Sequence, residues 1–246
     1  MQTDRPQPRF SIIIPTLNEI DSIEATVGRA RITAAAHDYE IVVADSGSSD
    51  GTVALARGLD TRVVVDAEVR CRAEACNLGA GAARGEIFVF LDADTRTPND
   101  FLDAIEHVLR RPGTIGGAFE FALTGRGLSL RVIELINRIR YRIWRRYYGD
   151  QMLFVRADDF RAVGGFPARR ILESSDLCLL LARRGRLRLV RQQVLTSSRR
   201  FLDGGVWRVF GSDIWIWFLD LIGLKTDRFG ARYWNYNRLR GQSATR

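Results

Sequence analysis

The chain has 246 residues, 46% of them apolar and 27% charged, which suits one α/β domain with a sizeable core and a small appendage and excludes wholesale disorder. Its net charge of +8 is carried almost wholly by arginine; Lys225 is the only lysine, so lysine-dependent chemistry must use it, and no GxxxxGK[ST] phosphate loop occurs. Cys71, Cys76 and Cys178 lack CxxC spacing and the only histidines are His37 and His107, which argues against a disulfide framework, a zinc site or a histidine metal centre.

In chain order, the polar start at residues 1–9 does not lead into a signal-peptide core. Residues 10–15 (FSIIIP) read as a first buried strand and 18–31 as a helix. A second strand at 40–44 (EIVVA) ends in the turn DSGSSDG, followed by a helix at 52–58 and a third strand at 62–66. An Ala-rich helix over 73–84 leads to the apolar run Ile87-Phe88-Val89-Phe90-Leu91, a strand buried on both faces. Strands alternating with helices of this length predict a doubly wound parallel sheet.

After Pro98 the pattern predicts a helix to about Arg110, a strand at 116–123, a long arginine-studded amphipathic helix at 128–147 and a strand at 152–155. A helix over 173–184 and a strand over 187–194 follow, and the Trp-rich segment 206–224 opens a C-terminal amphipathic helical extension, 206–246, beyond a main domain of 1–205. No stretch reaches the roughly 18–20 uncharged apolar residues of a membrane span, so the expected location is the cytoplasm.

The richest motif is Leu91-Asp92-Ala93-Asp94-Thr95. Paired carboxylates at the carboxyl end of a buried strand stand where open α/β sheets bind ligands, and hard oxygen donors that close suit a divalent cation holding phosphates. One aspartate alone would read as a turn cap. Pro15-Thr16-Leu17-Asn18-Glu19 ends the first strand and can cap the next helix. The turn DSGSSDG places hydroxyls and carboxylates above the sheet, where a ribose or base is commonly met, although it also reads as an ordinary βα loop.

Two other chemistries fit less well. Gly47-Ser48-Ser49-Asp50-Gly51 matches a hydrolase nucleophile elbow, but the only later histidine is His107. LDADT suggests an aspartyl-phosphate phosphatase, yet Arg96 stands where that motif needs threonine, and its lysine could only be Lys225.

FSIIIPTLNE, EIVVADSGSSDGT and NLGAGAARGEIFVFLDADT, in that order, resemble the N-terminal half of a family 2 glycosyltransferase with the GT-A fold. YGDQMLFVRADDFRAVGGFP, the Glu-Ser-Ser-Asp segment and TSSRRF resemble the acceptor half of one bacterial branch, so the likeness spans nearly the whole chain. It implies a Rossmann-like, mostly parallel sheet flanked by helices, a nucleotide-sugar donor, and Mn²⁺ or Mg²⁺. By position, Pro15 lies in the donor segment, and Glu19 and Asp45 match contacts to the nucleoside. Asp50 and Arg72 belong to motifs that line the same cleft, while Arg84 stands near the diphosphate or pairs structurally with an aspartate. Asp92 and Asp94 are the DxD pair, the second binding metal and the first the ribose or the metal.

The chain departs from the family pattern at two positions. Ser46 replaces a second aspartate, and Ser174 stands where the family places the base that deprotonates the acceptor hydroxyl. Glu173 and Asp176, three residues apart on a predicted helix, are the substitutes, with structural roles for both as the alternative. Gly149-Asp150-Gln151 is expected to close over the acceptor, and Arg199 or Arg200 either reaches the diphosphate or forms a solvated surface pair. The arginine-rich helix and the Trp-rich tail suit an anionic membrane surface, hence a peripheral position at the inner face and a lipid-linked acceptor. A helix packed on the domain and a dimer contact are the competing readings. No base-reading or stacking motif points to nucleic acid. A nucleotide-sugar binder without a competent base, and a membrane-surface adaptor, are the alternatives to an inverting transferase.

Overall fold

In the computed structural model, residues 7–224 and 226–230 are described. Lys225 and the end of the extension, 231–246, lie outside them, as do residues 1–6 of the polar start. Strand β1 (Phe10–Thr16) is buried along its whole length and lies third in the eight-stranded sheet. Helix α1 (Ile20–Ala34) crosses to β2 (Tyr39–Asp45), α2 (Thr52–Gly58) to β3 (Arg62–Val65), and α3 (Arg72–Ala82) to β4 (Ile87–Phe90). These four strands run parallel in the order β3-β2-β1-β4. β-Branched and aromatic residues in unbroken apolar runs fit a sheet covered on both faces.

The second half departs from a wholly parallel plan. After β5 (Thr95–Arg96), α4 (Phe101–Leu109), β6 (Thr114–Leu123) and α5 (Leu128–Trp144), strand β7 (Phe154–Arg156) inserts antiparallel between β4 and β6. Helices α6 (Ala157–Ala162) and α7 (Glu173–Leu181) then lead to β8 (Arg186–Thr196), parallel to β6. The short β5 pairs antiparallel with the end of β8 and completes the eight-stranded sheet, mixed on this side. Apolar alternation encodes which face a strand buries and says nothing of its direction, so β7 reads identically either way.

Helix α5 is shorter than its sequence pattern: it stops at Trp144, with Arg145 left-handed at φ 51°, and the freed residues turn back toward the sheet. Helices α8 (Arg199–Gly204) and α9 (Val206–Leu221) close the described chain. Phe210 of α9 joins the main core, and Asp220 is held by Arg169 at 2.7 Å, so α9 packs on the body. No helix among the described residues is long and apolar enough to cross a membrane.

Glycine spacing lets α3 lie flat on the sheet. A Cβ on Gly79 would sit 2.5 Å from Ile13 Cγ2 of β1, while one on Gly81 of the same helix would meet nothing within 4 Å. Gly81→Ala should therefore stabilise by about 0.5–1 kcal/mol through helix propensity. Gly79→Ala should destabilise by about 1 kcal/mol or more, because forcing atoms into a packed core costs roughly 1–3 kcal/mol. Urea midpoints moving in the same direction for both variants would contradict this packing.

Candidate active site

A cleft of about 390 Å³ opens beyond the carboxyl ends of β1 and β4, the position at which an open α/β sheet has room between diverging loops. Pro15 and Glu19 border it after β1, Asp92 and Asp94 after β4, Arg72 from α3, and Glu173 from α7. Asn137 and Arg140 of α5, Asp150, Arg199 of α8 and Phe210 of α9 line the opposite side.

Arg72 is the hub. As the first residue of α3 it is 19% exposed, and its Nε and Nη2 both donate to Asp92 Oδ1, at 2.8 and 2.7 Å. Its Nη1 donates to Glu173 Oε1 at 3.1 Å and, at 3.4 Å, to Ser174 Oγ. One guanidinium thus ties the DxD loop to the acceptor-side helix through charge-assisted bonds. Burial opposes its charge, but Asp92 and Glu173 prevail and raise its pKa well above the ordinary arginine value. The turn at Gly149 lies so close that a Cβ there would come within 2.7 Å of Arg72 Cζ.

Glu173 is buried, and Oε1 also accepts a bond from Ser174 Oγ at 3.3 Å. The serine in the family's base position is therefore a buried partner of Glu173. The preceding residue, Leu172, is left-handed at φ 62°, as is Met152 at φ 45° just after the Gly149–Gln151 turn. Non-glycine residues held in that region cost of order 1–3 kcal/mol, strain that clusters at functional loops.

Asp176, the other proposed base, does not line the cleft. It accepts a bond from Arg169 Nη1 at 2.6 Å, and the same arginine bonds Asp220 and Thr226, which fastens α9 and the chain beyond it to α7. Three helical residues turn the side chain about 60° from Glu173, enough to point it at a different neighbour.

Asp150 carries the signal that residue types alone did not reveal. The Gly149–Gln151 turn is anchored by Gln151 Nε2 donating to Phe119 O at 3.1 Å and by Thr196 Oγ1 donating to Asp150 O at 3.1 Å. This holds the Asp150 side chain, partly exposed, on the cleft wall. Burial pushes its carboxyl up to about 6, with Arg140, Arg200 and Arg72 opposing the rise and Asp92 adding to it. The sequence pointed to Gly149-Asp150-Gln151 as a segment closing over the acceptor, without singling out the Asp150 carboxyl.

Arg199 Nη2 lies 3.6 Å from both Glu19 Oε2 and Asp94 Oδ2, so it points into the cleft. Arg200 also borders the cleft and is paired there with Asp213, its Nη1 donating to Oδ1 at 3.4 Å. Asp45 is fully buried at the end of β2, where it accepts bonds from Gly47 N at 3.0 Å, Ser48 N at 2.8 Å, Thr16 Oγ1 at 2.9 Å and Ser48 Oγ. Four donors occupy the acceptor sites of that carboxylate, so it shapes the β2–α2 loop. Asp50 does likewise for two helix starts, accepting from Ile20 N at 3.1 Å and Thr52 N at 3.0 Å. Burial would raise the Asp50 carboxyl, but the bonds from Thr52 and Ile20 outweigh it and lower its pKa.

Arg84 corrects one expectation. Its Nε donates to Glu40 Oε2 at 3.2 Å, near the amino ends of β1 and β2, and it borders no part of the cleft. The partner is a glutamate near the start of β2, at the amino ends of the strands and away from the cleft.

Burial also pushes the thiols of Cys76 and Cys178 up to about 12, so neither offers a thiolate at neutral pH. Among the described residues there is no cluster of three or more His, Cys, Asp or Glu placed to hold a metal. Asp92 and Asp94 nevertheless fit a Mg²⁺- or Mn²⁺-type ion, since such ions are commonly held by one or two carboxylates and completed by substrate phosphates and water.

Comparison with known proteins agrees with this geometry. Residues 11–170 match the family model "Glycosyl transferase family 2". The chain is 29% identical over 171 residues to glycosyltransferase AglE of Haloferax volcanii, covering 65% of this chain and 56% of that protein. It is 26% identical over 165 residues to the undecaprenyl-phosphate 4-deoxy-4-formamido-L-arabinose transferase of Yersinia pestis, covering 64% of this chain and 50% of that protein. The chain thus spans about half the length of these curated relatives. Its fold is similar to that of glucosyl-3-phosphoglycerate synthase from Mycobacterium tuberculosis, solved with Mn²⁺, UDP and glucosyl-3-phosphoglycerate, with a TM-score of 0.62, 22% identity, and coverage of 89% of this chain and 81% of that one. With the family model covering well over half of its residues, the chain belongs to glycosyl transferase family 2.

Proposed function

We propose that this chain transfers a sugar from a nucleotide-diphosphate sugar to an acceptor hydroxyl, with inversion at the anomeric carbon and with Mn²⁺ or Mg²⁺ bound by Asp94 and Asp92. The carrying observation is the convergence in one cleft of the DxD pair, Glu19, Arg199, Arg72 and the carboxylates Glu173 and Asp150. When bound, the cation would offset the charge that develops on the departing diphosphate. Arg199 borders the same carboxylates and can add positive charge there. Pro15 and Glu19 edge the donor side, while Asp45 and Asp50 support the adjoining loop.

On the acceptor side, Asp150 and Glu173 divide two tasks. Glu173 is committed to Arg72 and fixes its orientation, whereas Asp150 has the raised proton affinity wanted in a base. In this reading Asp150 takes the hydroxyl proton as the acceptor oxygen attacks the anomeric carbon from the face opposite the diphosphate. The bond from that carbon to the diphosphate oxygen breaks in the same step, which inverts the centre. The cleft lining includes the apolar side chains Phe121, Leu123, Phe201, Phe210 and Ile216, which favours an amphipathic, lipid-linked acceptor and a protein peripheral to a membrane. The relative named as an undecaprenyl-phosphate transferase supports the same class.

Thermal denaturation with a panel of uridine and guanosine diphosphate sugars, with and without Mn²⁺, tests the donor side. One donor should raise the melting temperature in a metal-dependent way, because a ligand bound only by the folded state stabilises it. No shift with any donor would overturn the proposal. A binder without turnover is the competing reading, suggested by Ser174, and would show that shift with no sugar transfer or donor hydrolysis.

A further inference from the structure

Most of the large apolar side chains exposed among the described residues lie on α5, α9 and the segments flanking α9. On α5, Leu135, Ile136, Ile139 and Ile143 recur at helical spacing in solvent, while Ile133, Glu134, Asn137 and Tyr141 turn inward. On α9 and its C-cap, Trp207, Trp215, Phe218 and Ile222 are exposed, while Phe210, Ile216 and Leu219 are buried. A surface helix in water normally shows polar residues on its outer side. The two helices touch: Trp144 packs edge-on against Trp217 with centroids 5.1 Å apart, and the Arg140 guanidinium lies 5.8 Å from the Trp217 ring.

Charge sorts the same way. Glu134 of α5 accepts a bond from Leu123 N of β6 and pairs with Arg131, while Asp213 and Asp220 of α9 pair with Arg200 and Arg169. Arg131, Arg142, Arg145 and Arg208 are exposed, the first two also paired with the buried Glu134 and Glu120. Exposed tryptophans and aliphatics fringed by arginine, with no outward carboxylate from either helix, make a surface complementary to an anionic interface. A second copy of the chain would bring the same positive fringe against itself. The inner sides of these helices also supply Asn137, Arg140, Phe210 and Ile216 to the cleft, so an occupant of the outer face lies across the same helices from the cleft.

We infer that the outer face of α5 and α9 is a docking surface for an anionic lipid membrane. This deepens the proposed function, on which only its purpose rests: vesicle binding is measured without donor or acceptor. Failure of docking and failure of donor binding therefore show up in separate experiments.

The test is co-sedimentation of the full chain with vesicles of equal parts phosphatidylglycerol and phosphatidylcholine, and with phosphatidylcholine alone. The expected result is binding to the anionic vesicles at least roughly tenfold tighter, weakening as salt is raised. Trp207→Ser with Trp215→Ser, and separately Arg145→Gln with Arg208→Gln, should each weaken it by roughly tenfold or more. Ile32→Ser, at a position 74% exposed on α1, should leave it unchanged. Absence of binding to anionic vesicles overturns the inference, as does equal loss in the Ile32 variant. Dimerisation abolished by the tryptophan changes, without vesicle binding, would assign the face to a second copy and overturn it as well.

Discussion

An Arg72→Met variant is expected to lose on the order of 3–5 kcal/mol of stability at neutral pH, the usual consequence of removing one partner from a buried ionic cluster. The arginine serves two carboxylates together, Asp92 at 2.7 Å and Glu173 at 3.1 Å, and with it gone both are left without their cation. The hydrogen bond that Arg72 Nη2 gives Gly149 O at 3.4 Å disappears too, which loosens the turn that carries Asp150. Arg72→Lys should recover only part of the loss, because an ammonium cannot reproduce a fork that serves Asp92 and Glu173 together. Urea unfolding of the two variants at neutral pH measures both effects, and a deficit under about 1 kcal/mol in the methionine variant would show that the cluster is not a stabilising unit.

Asp150→Asn should lower sugar transfer by about 10²- to 10⁴-fold while donor binding stays nearly intact, the range expected for loss of a positioned base. The same substitution should stabilise the fold at neutral pH, and the sign follows from linkage. The folded-state pKa of Asp150 is raised to about 6 from the usual 3.8, so any stability from its protonated form is complete below the lower value and is lost as pH rises through the upper one. Above that window the ionised carboxylate opposes folding, by on the order of 1–3 kcal/mol before solvent screening is discounted. Asparagine removes the charge, so the variant gains over the wild type near about pH 8 and much less below about pH 4. In the wild type, transfer should decline as pH falls through about 6, the point at which Asp150 takes up its proton. A fully active asparagine variant would eliminate Asp150 as the base and return the role to Glu173. A stable but inactive variant is the trade expected where a catalytic group sits in an environment that disfavours its charge.

The donor half of this protein was legible from its residues because its information is local. Buried strands announce themselves as apolar runs such as Phe10–Thr16, and their ligand-facing ends carry the motif residues within a few positions. Asp92 and Asp94 were placed at a ligand-binding strand end by that logic, Pro15 and Glu19 only by the family resemblance, and all four border the cleft. Arg84 misled for the same reason: its motif lies in the right stretch of chain but at the wrong end of β4, where Glu40 takes it. Asp176 and Glu173 looked equivalent from spacing, yet the choice between them depends on Arg169 and Arg72, distant in sequence from one another and from much of what they bind.

The amino-acid sequence by itself determined the alternation of buried strands and helices, the carboxylate pair at a strand end and the arginine-rich amphipathic helix, because each is written in periodicity or in a short spacing. Only the tertiary structure decided that β7 runs antiparallel, that Arg72 joins the two halves of the site, that Arg199 faces Glu19 and Asp94, and that Asp150 rather than Asp176 borders the cleft. Strand direction, ion pairing across a hundred residues and the proton affinity of a partly buried carboxyl all depend on what chain folding brings alongside, and side-chain charge acts through space without regard to sequence separation.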